Sequence, residues 1–89
     1  MKINIAIAED NDFLAKSLLE KLNMFSDKFN VVFRATNGGE IVEFAKTNNT
    51  FQVILMDIEM PKMDGIKATE LISKFRPEIK TIILTVFDD

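Results

Sequence analysis

The chain has 89 residues, of which 47% are hydrophobic and 28% charged, with a formal charge of −3 and neither cysteine nor histidine. That length admits one domain at the small end of self-sufficient cores, and the composition is that of a packed chain rather than a disordered one. It excludes a disulfide framework, a thiolate nucleophile and a cysteine metal site, and with no Lys/Arg cluster to neutralise phosphates, no direct nucleic-acid binding by this segment is expected.

Ile3-Asn-Ile-Ala-Ile-Ala8 is β-branched and nearly all apolar, as a strand covered on both faces of a parallel sheet must be. Glu9 and Asp10 end this run short of the roughly 7 to 15 apolar residues of a signal core. No stretch approaches the roughly 20 residues of a membrane span, so no membrane contact and a cytoplasmic location are expected. Asp12 is placed to cap a helix whose apolar stripe is Leu14, Leu18, Leu22 and Phe25. Phe29–Ala35 is a second strand, and Thr36-Asn-Gly-Gly39 turns the chain into a short helix carrying Ile41, Val42 and Ala45 and ending at Asn48-Asn-Thr50. A third strand spans Phe51–Asp57. Asp64 caps a helix with Ala68, Leu71, Ile72 and Phe75 on one face, Pro77 breaks it, and Thr81–Val86 forms a fourth strand.

Strands alternating with helices in this way imply an α/β fold with a parallel sheet, right-handed crossovers and helices on both faces. If the first and third strands are neighbours, their carboxyl ends flank the point where strand order reverses, where open α/β sheets bind ligands. Glu9, Asp10 and Asp57 then share one rim. Three carboxylates so placed repel one another unless some are protonated or a cation sits among them. Mg2+ suits such a site, because it takes hard oxygen ligands and pairs with substrate phosphates. Phosphoryl transfer onto Asp57 is the chemistry this favours, since carboxylates form aspartyl phosphates.

In order along the chain, Glu9-Asp10, Asp57, Met60-Pro61, Met63-Asp64-Gly65 and Thr85 resemble the receiver domain of bacterial two-component response regulators. The resemblance implies a flavodoxin-like sheet of order 2-1-3-4 and one partial receiver domain over residues 1–89. It implies that Asp57 accepts a phosphoryl group from a histidine kinase or phosphotransfer protein. Asp10 and Asp57 would ligate Mg2+ directly, Glu9 through a water, and Glu59 by its backbone carbonyl, its side chain lying outside the site. Thr85 would donate its hydroxyl to the phosphoryl oxygens. The Ile66-Lys-Ala-Thr69 helix and the Leu84–Asp89 ending look most like regulators with a LuxR-type DNA-binding second domain. Taken alone, Glu9-Asp10 reads more often as a solvated loop or helix cap, Thr85 as a residue chosen for strand propensity, and Met60–Gly65 as a turn before a capped helix; their register with the strands is what makes them specific.

Receivers run to five strands and five helices, so a fragment of a longer regulator, lacking the α4-β5-α5 elements and the lysine that would face the phosphoryl group, is expected here. Strand 4 becomes an apolar edge able to pair with another chain, which suggests a homo-oligomer. Two other functions compete with the phosphoacceptor. One is a phosphorylation-independent interaction module with a relic acidic site. The other is a Mg2+-dependent phosphatase, disfavoured because Asp57-Ile-Glu59 offers a Glu where such hydrolases use a second Asp.

Overall fold

All seven expected elements form in a computed structural model, which describes residues 2–84. They are β1 (Ile3–Ala8), α1 (Asp12–Asn23), β2 (Phe29–Ala35), α2 (Gly38–Thr47), β3 (Val53–Asp57), α3 (Gly65–Phe75) and β4 (Lys80–Leu84). The strands pair in parallel in the order β2-β1-β3-β4, the expected flavodoxin-like arrangement. β1 sits inside the sheet, which is why its residues are apolar on both faces. Ile5 and Ile7 meet Leu18, Leu19 and Leu22 of α1 on one side. Ala6 and Ala8 join Ile41, Ala45, Ala68 and Ile72 of α2 and α3 on the other.

Helix starts follow the caps. Asp64 caps α3, its carboxylate accepting from the Lys67 amide at 2.8 Å. Asn37 caps α2 by accepting from the Glu40 amide at 2.9 Å, while Glu40 reaches back to the Thr36 amide and hydroxyl, a reciprocal arrangement close to a capping box. The α1 cap is Asn11 rather than Asp12. Asn11 has the extended backbone a cap needs (φ −82, ψ 117), and its Oδ1 accepts from the Leu14 amide at 2.9 Å. Asp12 is already helical, and its carboxylate turns to Arg34.

The apolar stripe of α1 also differs from expectation. Each four-residue step overshoots a full helical turn by about 40°, so a row drawn from Leu14 through Leu18 and Leu22 drifts around the helix. Leu14 is 43% exposed, Phe25, past the helix end, is 49% exposed, and Ala15 is the residue buried against the sheet. On α3, Ala68 and Ile72 are buried while Phe75 lies at the exposed end of its face. β3 begins at Val53, and Phe51 is buried just ahead of it. There its ring packs tilted against Phe44 and lies under the Arg76 guanidinium, which also donates to the Ala45 and Asn48 carbonyls left open at the end of α2. β4 starts one residue early, at Lys80, and its expected continuation through Thr85 and Val86 lies outside the described residues.

β2 and β4 are the sheet edges among the described residues. The β1–β2 register slips between Ile5 and Ala6, leaving Val32 unpaired as a bulge, a feature that twists an edge away from further pairing. β4 pairs with β3 without interruption from Lys80 to Leu84, and its Ile82 is 52% exposed.

Packing of this kind ranks substitutions by burial. Ile54 is fully buried, so Ile54→Ala should lower the unfolding free energy by about 3 kcal/mol. Ile66 is exposed on α3, and Ile66→Ala should change it by less than about 0.5 kcal/mol. Urea unfolding followed by far-UV circular dichroism measures both.

Candidate functional site

Two adjacent parallel strands deliver the acids. β1 and β3 run side by side with Ala8 level with Met56, so Glu9 and Asp57 leave the same end of the sheet next to each other. Asp57 is the last residue of β3 and half-buried; Asp10, one residue beyond Glu9, is exposed. Glu9 is only 6% exposed although it is an acid. One carboxylate oxygen from each of Glu9, Asp10 and Asp57 lies within 4.8 Å of the others, so the expected cluster assembles.

The environment opposes ionisation of Glu9. Burial is the main cause that lifts the Glu9 pKa above its ordinary value, joined by the Asp57 charge and by hydrogen bonds shared with Asp57 and Asp10. The Asn11 amide, donating to Glu9 Oε2 at 3.1 Å, pulls the other way. Three hard oxygen donors converging on one point, one of them desolvated and destabilised as an anion, are a donor set that fits a small divalent cation. An open cleft of about 580 Å3 adjoins the cluster, lined by Asp10, Ile58, Glu59, Met60, Pro61 and Asp64. Glu59 is exposed on the wall of this cleft.

The loop after Asp57 is held close by two glycines. The Gly65 amide donates to the Ile58 carbonyl at 2.8 Å, and a Cβ at Gly65 would collide with the Asp57 carbonyl oxygen. The Gly38 amide donates to the Met63 carbonyl at 2.9 Å, and a Cβ there would collide with that same oxygen. Gly38 and Gly65 are therefore needed for close backbone approach, whereas the sequence suggested only turn formers. Between them Lys62 adopts φ 68, a left-handed conformation that costs a residue with a Cβ about 1–2 kcal/mol.

Sequence reasoning missed Arg34. Its Nε donates to the Glu9 carbonyl and its Nη1 to Asp12, each at 2.9 Å. The available signal was a single charge in the otherwise apolar or amide strand Phe29–Ala35, one residue from the rim that carries the acids. Thr85 lies outside the described residues; β4 is described as far as Leu84, which is level with Asp57.

The raised Glu9 pKa has a definite sign in stability. In the metal-free protein its contribution is present below the ordinary value of 4.5 and is lost as pH rises toward the higher folded value. Glu40, held low by the Thr36 amide and hydroxyl, works oppositely, its contribution complete above the unfolded value and lost as pH falls. Above pH 4.5 the Glu9 effect therefore remains. Urea unfolding in chelator should show Glu9→Gln gaining stability relative to wild type as pH rises from 4.5 to 7, and a constant difference would contradict this assignment.

Comparison with known proteins agrees with this geometry. Residues 5–89 match the model of the response regulator receiver domain. Transcriptional regulatory protein LnrK of Bacillus subtilis (strain 168) is 36% identical over 87 residues, covering 98% of this chain and 39% of LnrK. For transcriptional regulatory protein DegU of Brevibacillus brevis the identity is 35% over 88 residues, covering 99% and 36%. A protein-glutamate methylesterase/protein-glutamine glutaminase of Methanococcus maripaludis is 40% identical over 76 residues, 85% of this chain and 20% of that protein. The chain thus spans well under half the length of these relatives. Among solved structures, the CheX-CheY-BeF3-Mg+2 complex from Borrelia burgdorferi superposes with a TM-score of 0.81 at 30% identity, covering 91% of this chain and 60% of that one. With this match along its length, and with the acids gathered where β1 and β3 end, the chain belongs to the response regulator receiver domain family of two-component systems.

Proposed function

We propose that this receiver domain is a Mg2+-dependent phosphoacceptor: Asp57 takes a phosphoryl group from a histidine kinase or phosphotransfer protein and so controls an output domain elsewhere in the protein. The observation that carries this is the convergence of the Glu9, Asp10 and Asp57 oxygens within 4.8 Å, beside a cleft that Asp10 lines.

Asp57 is the nucleophile. One of its oxygens forms a bond to phosphorus as the donor's bond to phosphorus breaks, the leaving imidazole keeping the electron pair. Asp10 and Asp57 would hold Mg2+ directly, Glu9 through a water and Glu59 through its carbonyl; when bound, the ion neutralises charge on the transferring oxygens. The Thr85 hydroxyl would donate to the phosphoryl oxygens. Burial of Glu9 and the fixed β3–α3 loop leave little reorganisation for the moment of transfer. The product carries new charge and acceptor oxygens at the rim, which can bias a two-state element.

Residues 1–89 act in this reading as one receiver unit of a cytoplasmic regulator, a switch rather than an enzyme. The names of LnrK and DegU support a transcriptional output, of the LuxR type suggested by the sequence, with DNA contacts made outside this segment. Among the described residues β4 is an unbulged edge with Ile82 exposed, which supports pairing between copies and favours a second reading in which the chain is a phosphorylation-independent interaction module. Sizing with light scattering that found a monomer at high concentration would refute the pairing.

Intact mass after incubation with acetyl phosphate separates the two readings. Wild type with Mg2+ should gain one phosphoryl group, and Asp57→Asn or wild type with chelator none. A wild type that stays unmodified would overturn the phosphoacceptor reading and leave the interaction module.

A further inference from the structure

We infer that Arg34 is a positioning residue for the metal site: it holds the β1–α1 loop from Glu9 to Asp12 in its ligating shape and thereby sets Mg2+ affinity. This rests on the metal-site reading above and adds a residue that reading does not use.

The reason lies in how the ladder between β1 and β2 ends. Ile7 is level with Arg34 and Ala8 with Ala35, and the Glu9 amide donates to the Ala35 carbonyl at 3.0 Å. The next partner in the ladder would be a β2 backbone amide for the Glu9 carbonyl. Had β2 continued, parallel pairing would supply the Asn37 amide, two residues past Ala35, but Asn37 instead caps α2 and no bond from its N–H to the Glu9 carbonyl forms. The Arg34 guanidinium replaces it, Nε donating to the Glu9 carbonyl at 2.9 Å. The peptide groups on both sides of Glu9 are thus fixed just where its side chain must enter the acidic cluster.

The same planar group spans the loop, its Nη1 meeting Asp12 at 2.9 Å at the start of α1. Asp12 is 91% exposed in its side chain while Arg34 is 25% exposed, so the ion pair is a weak tether and the Glu9 contact the stronger one. Arg34 Nη2 is buried with no hydrogen-bond partner among the described residues, a cost that packing alone does not explain. A rigid fork fits this task better than a lysine, whose single nitrogen cannot bridge two acceptors in fixed geometry. Holding the loop before the ion arrives removes an ordering cost from binding.

The test is a calorimetric Mg2+ titration of the metal-free chain, with amide hydrogen exchange, on wild type, Arg34→Met, Arg34→Lys and Asp12→Asn. Arg34→Met should weaken Mg2+ binding by about tenfold, in the range seen when outer-shell partners of ligands are removed. It should also speed exchange at Asp10, Asn11 and Asp12 while leaving the β3 amides protected. Arg34→Lys should fall between, and Asp12→Asn should stay near wild type. A folded Arg34→Met, or Arg34→Lys should Arg34→Met not fold, with wild-type affinity and loop exchange would overturn the inference alone. A wild type that takes up no Mg2+ would overturn the metal-site reading as well.

Discussion

Parallel pairing of β1 with β3 is the constraint on which the site depends. Once Ala8 is level with Met56, the two strands must release Glu9 and Asp57 side by side, and Asp10 follows from the same turn. The sheet is held in that register by apolar burial on both faces, Ile5 and Ile7 toward α1 and Ala6, Ala8, Ile54 and Met56 toward α2 and α3. Hydrophobic packing therefore forces together carboxylates that electrostatics would separate. That crowding of carboxylate oxygens is what supports the proposed cation site.

Other features of the rim keep that crowded geometry from relaxing. Gly65 and Gly38 let the β3–α3 loop lie against the Asp57 backbone and the start of α2, so Asp57 cannot swing away with a mobile loop. Asn11, Asn37 and Asp64 cap the three helices that begin at this end of the sheet, and the Asn11 amide is drawn into the Glu9 carboxylate. Arg34 closes the far side. Helix starts, glycines and one arginine thus converge on the end of the sheet where the acids lie.

Much of this was legible in the sequence because it depends on local pattern. Strand 1, the buried residues Ile41, Val42 and Ala45, the Asp64 cap and the three acids follow from period and position. The misses share a cause: each turns on geometry that a linear pattern does not carry. Asn11 and Asp12 are both good caps, and the choice depends on backbone angles and on Arg34 drawing Asp12 aside. Leu14 and Leu22 look equivalent four residues at a time, but helical drift separates them. The role of Arg34 emerges only when β2 is placed beside β1, and the tight contacts of Gly38 and Gly65 exist only once the loops meet. The functional role of Thr85 rests on its resemblance position, beyond the described residues.

The central claim is that the strand-end acids form a divalent-cation site in which Asp57 takes part, and unfolding stability against Mg2+ concentration tests it most directly. A ligand that binds the folded state alone adds about 2.7 kcal/mol at a concentration one hundred times its Kd. Wild type should gain stability as Mg2+ rises, while Asp57→Asn, which keeps the shape but loses a charged ligand, should gain far less. An equal response in the two proteins, or none in wild type, would contradict the account.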